Sequence, residues 1–230
     1  MQVLDFGYCR LVETWGKGDI QLAEAGIVEA ARQSTQGSFR GWAEDERLLG
    51  FLAKNHHDSP FEFAGMVIEV QAPIVVAREW FRHRTQSFNE MSGRYAILPN
   101  LYYIPSVERL MAGKQSTKNK QSSEAGFTQD EAIRLRDRMQ TATALARGEY
   151  DRMLAEGVSR ELARLVVPVN QYTRYRCSAN LRNWLHFLGL RLDPAAQWEI
   201  REFAKAVATI IEQEFPRTYT LYMERQNDSN

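Results

Sequence analysis

Apolar residues in this 230-residue chain recur mostly at helical spacing, and the few stretches at strand spacing do not take turns with the helical ones. One strand pattern covers Gly65–Gln71, where Met66, Ile68 and Val70 alternate with Val67, Glu69 and Gln71. A second covers Gln171–Ser178, with Tyr172, Arg174 and Arg176 on one face. Helical signals predict a segment capped by Asp19, one over Glu44–Asn55 with Leu48, Leu49 and Leu52 as its stripe, and one opening at Pro73 and running toward Arg84. The capping box Thr128–Glu131 predicts a long helix carrying Leu135, Met139, Ala142, Leu145 and Met153. Another helix is expected from about Asn180 to Gly189, and a last one from Asp193-Pro194 with Ile200, Phe203, Val207, Ile210 and Phe215 as its stripe. A doubly wound parallel sheet needs regular alternation of the two periods. The expectation is therefore an α+β fold, a single domain over residues 1–230 with a mostly antiparallel sheet packed by long helices. The polar run Gly113–Ser123, within a poorly patterned stretch from Met111 to Phe127, reads as a mobile loop inside that domain.

The first residues show neither a basic nor an apolar signal region, and no apolar run approaches the roughly 20 residues a membrane helix needs. These features predict a cytoplasmic protein with no membrane partner. Cys9 and Cys177 are too few for a disulfide framework or a thiolate zinc site, and no metal is expected. A net charge of zero argues against a protein that coats nucleic acid. That zero conceals an imbalance, because 23 of the 29 basic residues are arginine, the side chain that forks onto phosphate or carboxylate.

The arginines gather in two places. Arg78–Arg94 combines Arg78, Arg82, His83, Arg84 and Arg94 with Ser87, Asn89, Glu90 and Ser92 beside the apolar Trp80 and Phe81. Such company suits a large anionic aromatic ligand better than a solvated helix end. From Arg164 to Arg191 there are five arginines and no Asp, Glu or Lys in 28 residues. These cations need anions from elsewhere, either phosphates or acidic residues of another segment or subunit. Asn180, Arg182 and His186 fall at one helix start, the latter two at i, i+4. His56-His57-Asp58-Ser59-Pro60 reads as a turn before the first strand pattern rather than as a metal site. Cys177 reads as a small filler, with an arginine-activated nucleophile as the sharper alternative.

No GxGxxG, GxxxxGK[ST], HExxH or GxSxG occurs. What does occur is Arg82-His83-Arg84, seven residues, then Ser92, which resembles the RHR-x7-S motif of the flavin-dependent thymidylate synthases. His57-Asp-Ser-Pro-Phe-Glu62, Tyr102-Tyr-Ile-Pro105, Pro168-Val-Asn-Gln-Tyr-Thr173, Asn180-Leu-Arg182, His186–Arg191 and Ala196-Gln-Trp-Glu-Ile200 are similar to that family in order, over roughly residues 45–215. The chain departs from the family at Phe63, where a histidine is common, and at Glu79, where Gln is. It departs again at Arg176-Cys177, in place of aromatic residues, and at Ala195, in place of His or a similar residue.

The resemblance implies methylation of dUMP at C5 to give dTMP, with FAD as cofactor and methylenetetrahydrofolate and NADPH as co-substrates. A related modification of another pyrimidine nucleotide stands as the alternative, and a nucleic-acid-binding module as the reading from another class. By the same resemblance FAD is expected at Ser59, Arg82, His83, Arg84, Thr85, Glu90, Asn180, Arg182 and His186. The nucleotide is expected at Glu79, Trp80, Phe81, Arg82, Glu90, Met91, Ser92, Gly93, Arg94, Arg164 and Arg191. Arg191 is the expected catalytic residue, stabilising an anion at N3 of the uracil. No protein nucleophile is implied, and the family forms homotetramers whose sites lie between subunits.

Overall fold

The structure is a computed structural model that describes residues 1–16, 23–117 and 123–228. Its centre is an antiparallel sheet of five strands, β1 (Gln2–Val3), β2 (Gly7–Trp15), β3 (Gly65–Pro73), β4 (Ser87–Glu90) and β7 (Tyr172–Asn180), in the order β1-β2-β3-β7-β4. The register between β2 and β3 shifts between Leu11 and Glu13. Between β3 and β7 it runs unbroken from Gly65 opposite Asn180 to Pro73 opposite Tyr172. The predicted alternation holds: Met66, Ile68 and Val70 are buried with Tyr175, Cys177 and Ala179, while Arg174 and Arg176 stand on the opposite, open face beside Glu69. The fold is α+β, as the spacing predicted.

Nine helices are described: α1 (Ala25–Arg32), α2 (Trp42–Lys54), α3 (Ile74–Trp80), α4 (Val107–Met111), α5 (Gln129–Ala155), α6 (Arg160–Ala163), α7 (Leu181–Arg191), α8 (Trp198–Glu214) and α9 (Pro216–Asp228). The inner sheet face is covered by α3, α7 and α8, whose Trp80, Trp184, Phe187, Phe203 and Val207 are all completely buried. Trp80 and Phe187 stack with ring centres 4.6 Å apart, and Tyr175 meets Trp80 edge-on from the sheet. Among the described residues no helix is long and apolar enough to cross a membrane.

The helix opening at Pro73 stops at Trp80, well short of Arg84, with Pro73 as its N-cap rather than its first turn. The stop has a tertiary cause. The indole Nε1 of Trp80 donates to Gln86 Oε1 at 3.0 Å deep in the core, so the chain must turn back within six residues. Arg82, His83 and Arg84 therefore lie in a turn, and Arg78 and Arg82 do not share a helix face.

The stripe predicted for α5 is not core. The capping box forms as expected, but Met139 and Leu145 are exposed, and Ala132 and Tyr150 are the buried residues of the helix. The last long helix begins at Trp198, because Asp193 caps a turn in which its carboxylate accepts from the Ala195 N–H at 2.7 Å. Beyond Phe215 the chain does not end its helical course but starts α9, which the sequence did not predict. Phe215 leaves helical geometry (φ −135°, ψ 57°), Pro216 opens the new helix, and buried Glu24 accepts from the N–H groups of Arg217 and Thr218. Part of the loop read at Gly113–Ser123 is ordered as a two-stranded ribbon of β5 (Lys114–Gln115) and β6 (Ser123–Glu124). Asp19, expected to cap the first helix, lies outside the described residues.

Candidate active site

The turn that follows α3 places His83 against the end of α7. Arg191, the last residue of that helix, donates from Nε to His83 Nε2 at 2.9 Å and from Nη2 to the Glu79 backbone carbonyl at 3.1 Å. Its Nη1 stands 3.6 Å from Glu79 Oε2, which is buried and finds no hydrogen-bond partner among the described residues. An arginine donor requires the facing imidazole nitrogen to be a free acceptor, so His83 is neutral here. Burial, then the positive charge of Arg191, then His186 hold its pKa down to about 4. The rings of His83 and His186 are 6.3 Å apart, which ties this cluster to the first turns of α7.

There Asn180 caps the helix, its side chain accepting from the Asn183 N–H at 3.0 Å. One turn on, Arg182 and His186 project from one face, as their spacing predicted. They line a cleft of about 540 Å³ together with Thr85, Asp58, Phe61 and residues of α9. Ser59, exposed at the start of the 3-10 turn Ser59–Phe63 whose Pro60 and Phe61 are buried, adjoins Asp58 at the cleft edge, and Arg82 and Arg84 are exposed on the turn that leads into Thr85. A guanidinium, an imidazole and hydroxyls over an apolar floor form a donor set that fits an anionic aromatic group.

The rest of the expected nucleotide set gathers at the far end of β4. Glu90 accepts from Thr173 Oγ1, and the Met91 N–H donates to the Arg174 carbonyl at 2.8 Å, so the strand edge holds the start of the following turn. In that turn the Arg94 N–H donates to Ser92 Oγ at 3.2 Å, and Arg94 pairs with Glu161 at 2.9 Å. A side-chain carbon at Gly93 would sit 3.1 Å from Leu98 Cδ2, tighter than an ordinary contact, and 3.4 Å from Arg164 Cδ, so the turn and Arg164 lie side by side. The two groups are separated by the four residues of β4, about 13 Å at strand rise.

Several site assignments change in detail. Trp80 is completely buried with its N–H committed to Gln86, so its side chain builds the core and only its backbone remains for a ligand. Phe81 packs on Phe88 with ring centres 4.6 Å apart. The arginines between 164 and 191 are not all awaiting an external anion: Arg182 bonds Glu62, Arg176 lies 3.7 Å from Glu69, and Arg191 faces Glu79. Those acids come from other segments of the same chain. Cys177 is fully buried, its thiol pushed well above its ordinary range by burial, and Arg174 and Arg176 are on the other sheet face, so it fills space. His57 packs against Phe51 while His56 contacts Arg225, so the adjacent histidines serve different partners. The α9 residues in the cleft were missed, because their helix carries no continuous apolar stripe.

The pattern of the thymidylate synthase complementing protein family matches residues 10–217. A flavin-dependent thymidylate synthase of Thermus thermophilus is 43% identical over 222 residues, 96% of this chain and 77% of that protein. The enzyme of the same name from Thermotoga neapolitana is 36% identical over 96% of this chain and 93% of its own length. Among solved structures, the UMP/dUMP methylase PolB of Streptomyces cacaoi, bound with 5-Br dUMP, superposes with a TM-score of 0.83 at 30% identity, covering 97% of both chains. The same methylase bound with 5-Br UMP gives a TM-score of 0.83 at 31% identity. The chain belongs to the thymidylate synthase complementing protein family, and the curated relatives reported above are named flavin-dependent thymidylate synthases.

Proposed function

We propose that this chain catalyses the flavin-dependent reductive methylation of dUMP at C5, with methylenetetrahydrofolate as carbon donor and NADPH as reductant. The observation that carries the reading is the meeting of Arg191, His83 and Glu79 beside a cleft lined by Arg182, His186 and Thr85, in a chain 43% identical to an enzyme of that name. Arg182, His186, Thr85, Ser59 and the exposed Arg82 and Arg84 hold FAD, with Asn180 and Glu90 ordering the ends of α7 and β4. A bound flavin supplies hydride chemistry. Arg191 is oriented by His83 and by the Glu79 carbonyl so that its remaining N–H groups meet a negative charge developing on the uracil, worth roughly 3–4 kcal/mol of barrier in comparable oxyanion sites. Glu90 through Arg94 and Arg164 hold the nucleotide phosphate and sugar.

A protein nucleophile is not needed. Ser92 Oγ already accepts from the Arg94 N–H, and both thiols are buried, Cys9 being pushed up to about 12. Two observations favour sites shared between subunits of a homotetramer. The nucleotide residues lie at opposite ends of β4, and Leu162, Leu165 and Tyr95 leave apolar surface exposed around Arg164. A second reading, action on UMP as well, is favoured by the likeness to a methylase bound with 5-Br UMP.

The test is the visible spectrum of the purified protein, followed by product mass from dUMP and from UMP with methylenetetrahydrofolate and NADPH. A yellow protein yielding dTMP supports the reading. A colourless protein that does not take up flavin, or unchanged nucleotides, would sink it, and 5-methyl-UMP would select the second.

A further inference from the structure

Helix α9 contributes to the cleft in a way the family signature residues do not account for. Thr218, Leu221, Tyr222 and Arg225 recur at i, i+3, i+4 and i+7, so they share one helix face, and all four line the cleft opposite Arg182 and His186. This face packs on the core through the buried Thr218 and through Leu221 and Tyr222, and it also borders, with the exposed Arg225, an opening of about 540 Å³, inside the range of small-molecule sites. Gly189 of α7 lines the same cleft, and a side-chain carbon there would stand 3.8 Å from the Tyr222 hydroxyl, an ordinary contact distance that brings α7 and α9 together at this point. Burial, with a contribution from Tyr219, pushes the Tyr222 hydroxyl up to about 12, so it is a neutral donor at physiological pH. Arg225 is held by contact with His56 Nδ1, at the turn that ends α2.

We propose that α9 is a ligand wall, with Arg225 and Tyr222 gripping a heteroaromatic ring that carries a phosphate or carboxylate, across from Arg182. Leu221 and Phe61 supply the apolar floor, and two guanidinium groups on facing walls suit the anionic groups at the ring's edge. This rests on the functional reading above, which supplies three molecules of that chemistry: FAD, methylenetetrahydrofolate and NADPH. The nucleotide dUMP is excluded from this wall, because Arg191, Glu79 and Arg164 do not line the cleft.

The experiment compares wild type with Arg225→Ala and, as a milder change that keeps helix propensity, Arg225→Gln. On the purified holoenzyme it reads flavin retained after gel filtration, the Kd of tetrahydrofolate by fluorescence titration, the NADPH dependence of flavin bleaching without oxygen, and the Kd of dUMP. The expected result is at least a tenfold weakening for one of the first three ligands, identifying the source, with dUMP affinity within twofold of wild type. All three ligands within twofold of wild type overturn the proposal, as does parallel weakening of all four with a lowered melting temperature, which marks a structural role. An active, flavin-bearing wild type with an indifferent Arg225→Ala removes this proposal alone. A wild type that neither holds flavin nor makes dTMP removes the functional reading and this one together.

Discussion

Two kinds of arginine coexist in this molecule, and they differ in how completely their partners are satisfied. Arg32 and Asp45 form a closed unit: the carboxylate is fully buried, accepts from Arg32 Nε at 2.9 Å and from the Arg40 N–H at 2.6 Å, and is bonded again by Arg32 Nη2. Burial alone would raise its pKa, but these donors outweigh it and hold it low. Arg109 and Glu199 are similar, at 2.8 Å, with Gln197 and Tyr103 completing the carboxylate. Arg191 is held differently. Its firm partners are a neutral imidazole and a backbone carbonyl, while the nearest carboxylate oxygen waits 3.6 Å away with no hydrogen bond. The structural arginines are hydrogen-bonded directly to buried carboxylates, whereas the arginine of the site has its carboxylate, Glu79, only at ion-pair distance and is positioned by a neutral ring and a carbonyl.

Three substitutions would break this contrast. Asp45→Ala leaves the partly buried Arg32 guanidinium and the Arg40 N–H without their shared carboxylate, which costs about 3 kcal/mol. For a chain of this length that is a fall in melting temperature of roughly 10 °C, with activity per folded molecule unchanged. Urea unfolding that shows no loss would mean the pair is not the closed unit described. Arg191→Ala reverses the pattern: kcat/KM for dUMP drops roughly 10²–10³-fold while the melting point moves by no more than about 2 °C. Retained turnover removes the role assigned to that residue. Arg164→Ala is smaller, because the side chain is exposed and only borders Gly93. The KM for dUMP rises about tenfold with kcat little changed, as expected for a contact made equally in ground and transition states.

What the sequence disclosed and what it withheld divide along the same line of local against distant cause. The alternation of Met66, Ile68 and Val70 and the Thr128–Glu131 capping box were legible because each is decided within a few residues. The Arg182–His186 face was legible for the same reason. The end of α3 was not, since it depends on Trp80 finding Gln86 while packing on Phe187, 107 residues onward. Helix α9 was hidden because its cleft-facing residues are mixed in polarity and its start is capped by Glu24, 194 residues before Thr218. The acids that answer Arg176, Arg182 and Arg191 are likewise far off in sequence, so a charge count within the segment could not find them. On α5 the apolar stripe was real but its burial was not, because periodicity reports an apolar face and not what covers it.

The smallest effect tests the neutral partner of Arg191. His83 has an ordinary unfolded pKa of about 6.5 and a folded value of about 4, lowered by burial and then by the neighbouring guanidinium. Between these values the unfolded chain binds the proton and the folded chain does not, so stability is present in full above the unfolded value and declines as pH falls through the window. From pH 6.5 to pH 5 this group should remove about 1.5 kcal/mol, read as the difference between wild type and His83→Gln in urea unfolding at each pH. Glutamine keeps an acceptor for Arg191 Nε but has nothing to titrate, so its curve should be flatter by that increment while kcat at neutral pH is largely preserved. Parallel curves would mean that His83 titrates alike folded and unfolded, and that neither burial nor the Arg191 guanidinium holds its ring neutral as the pH falls.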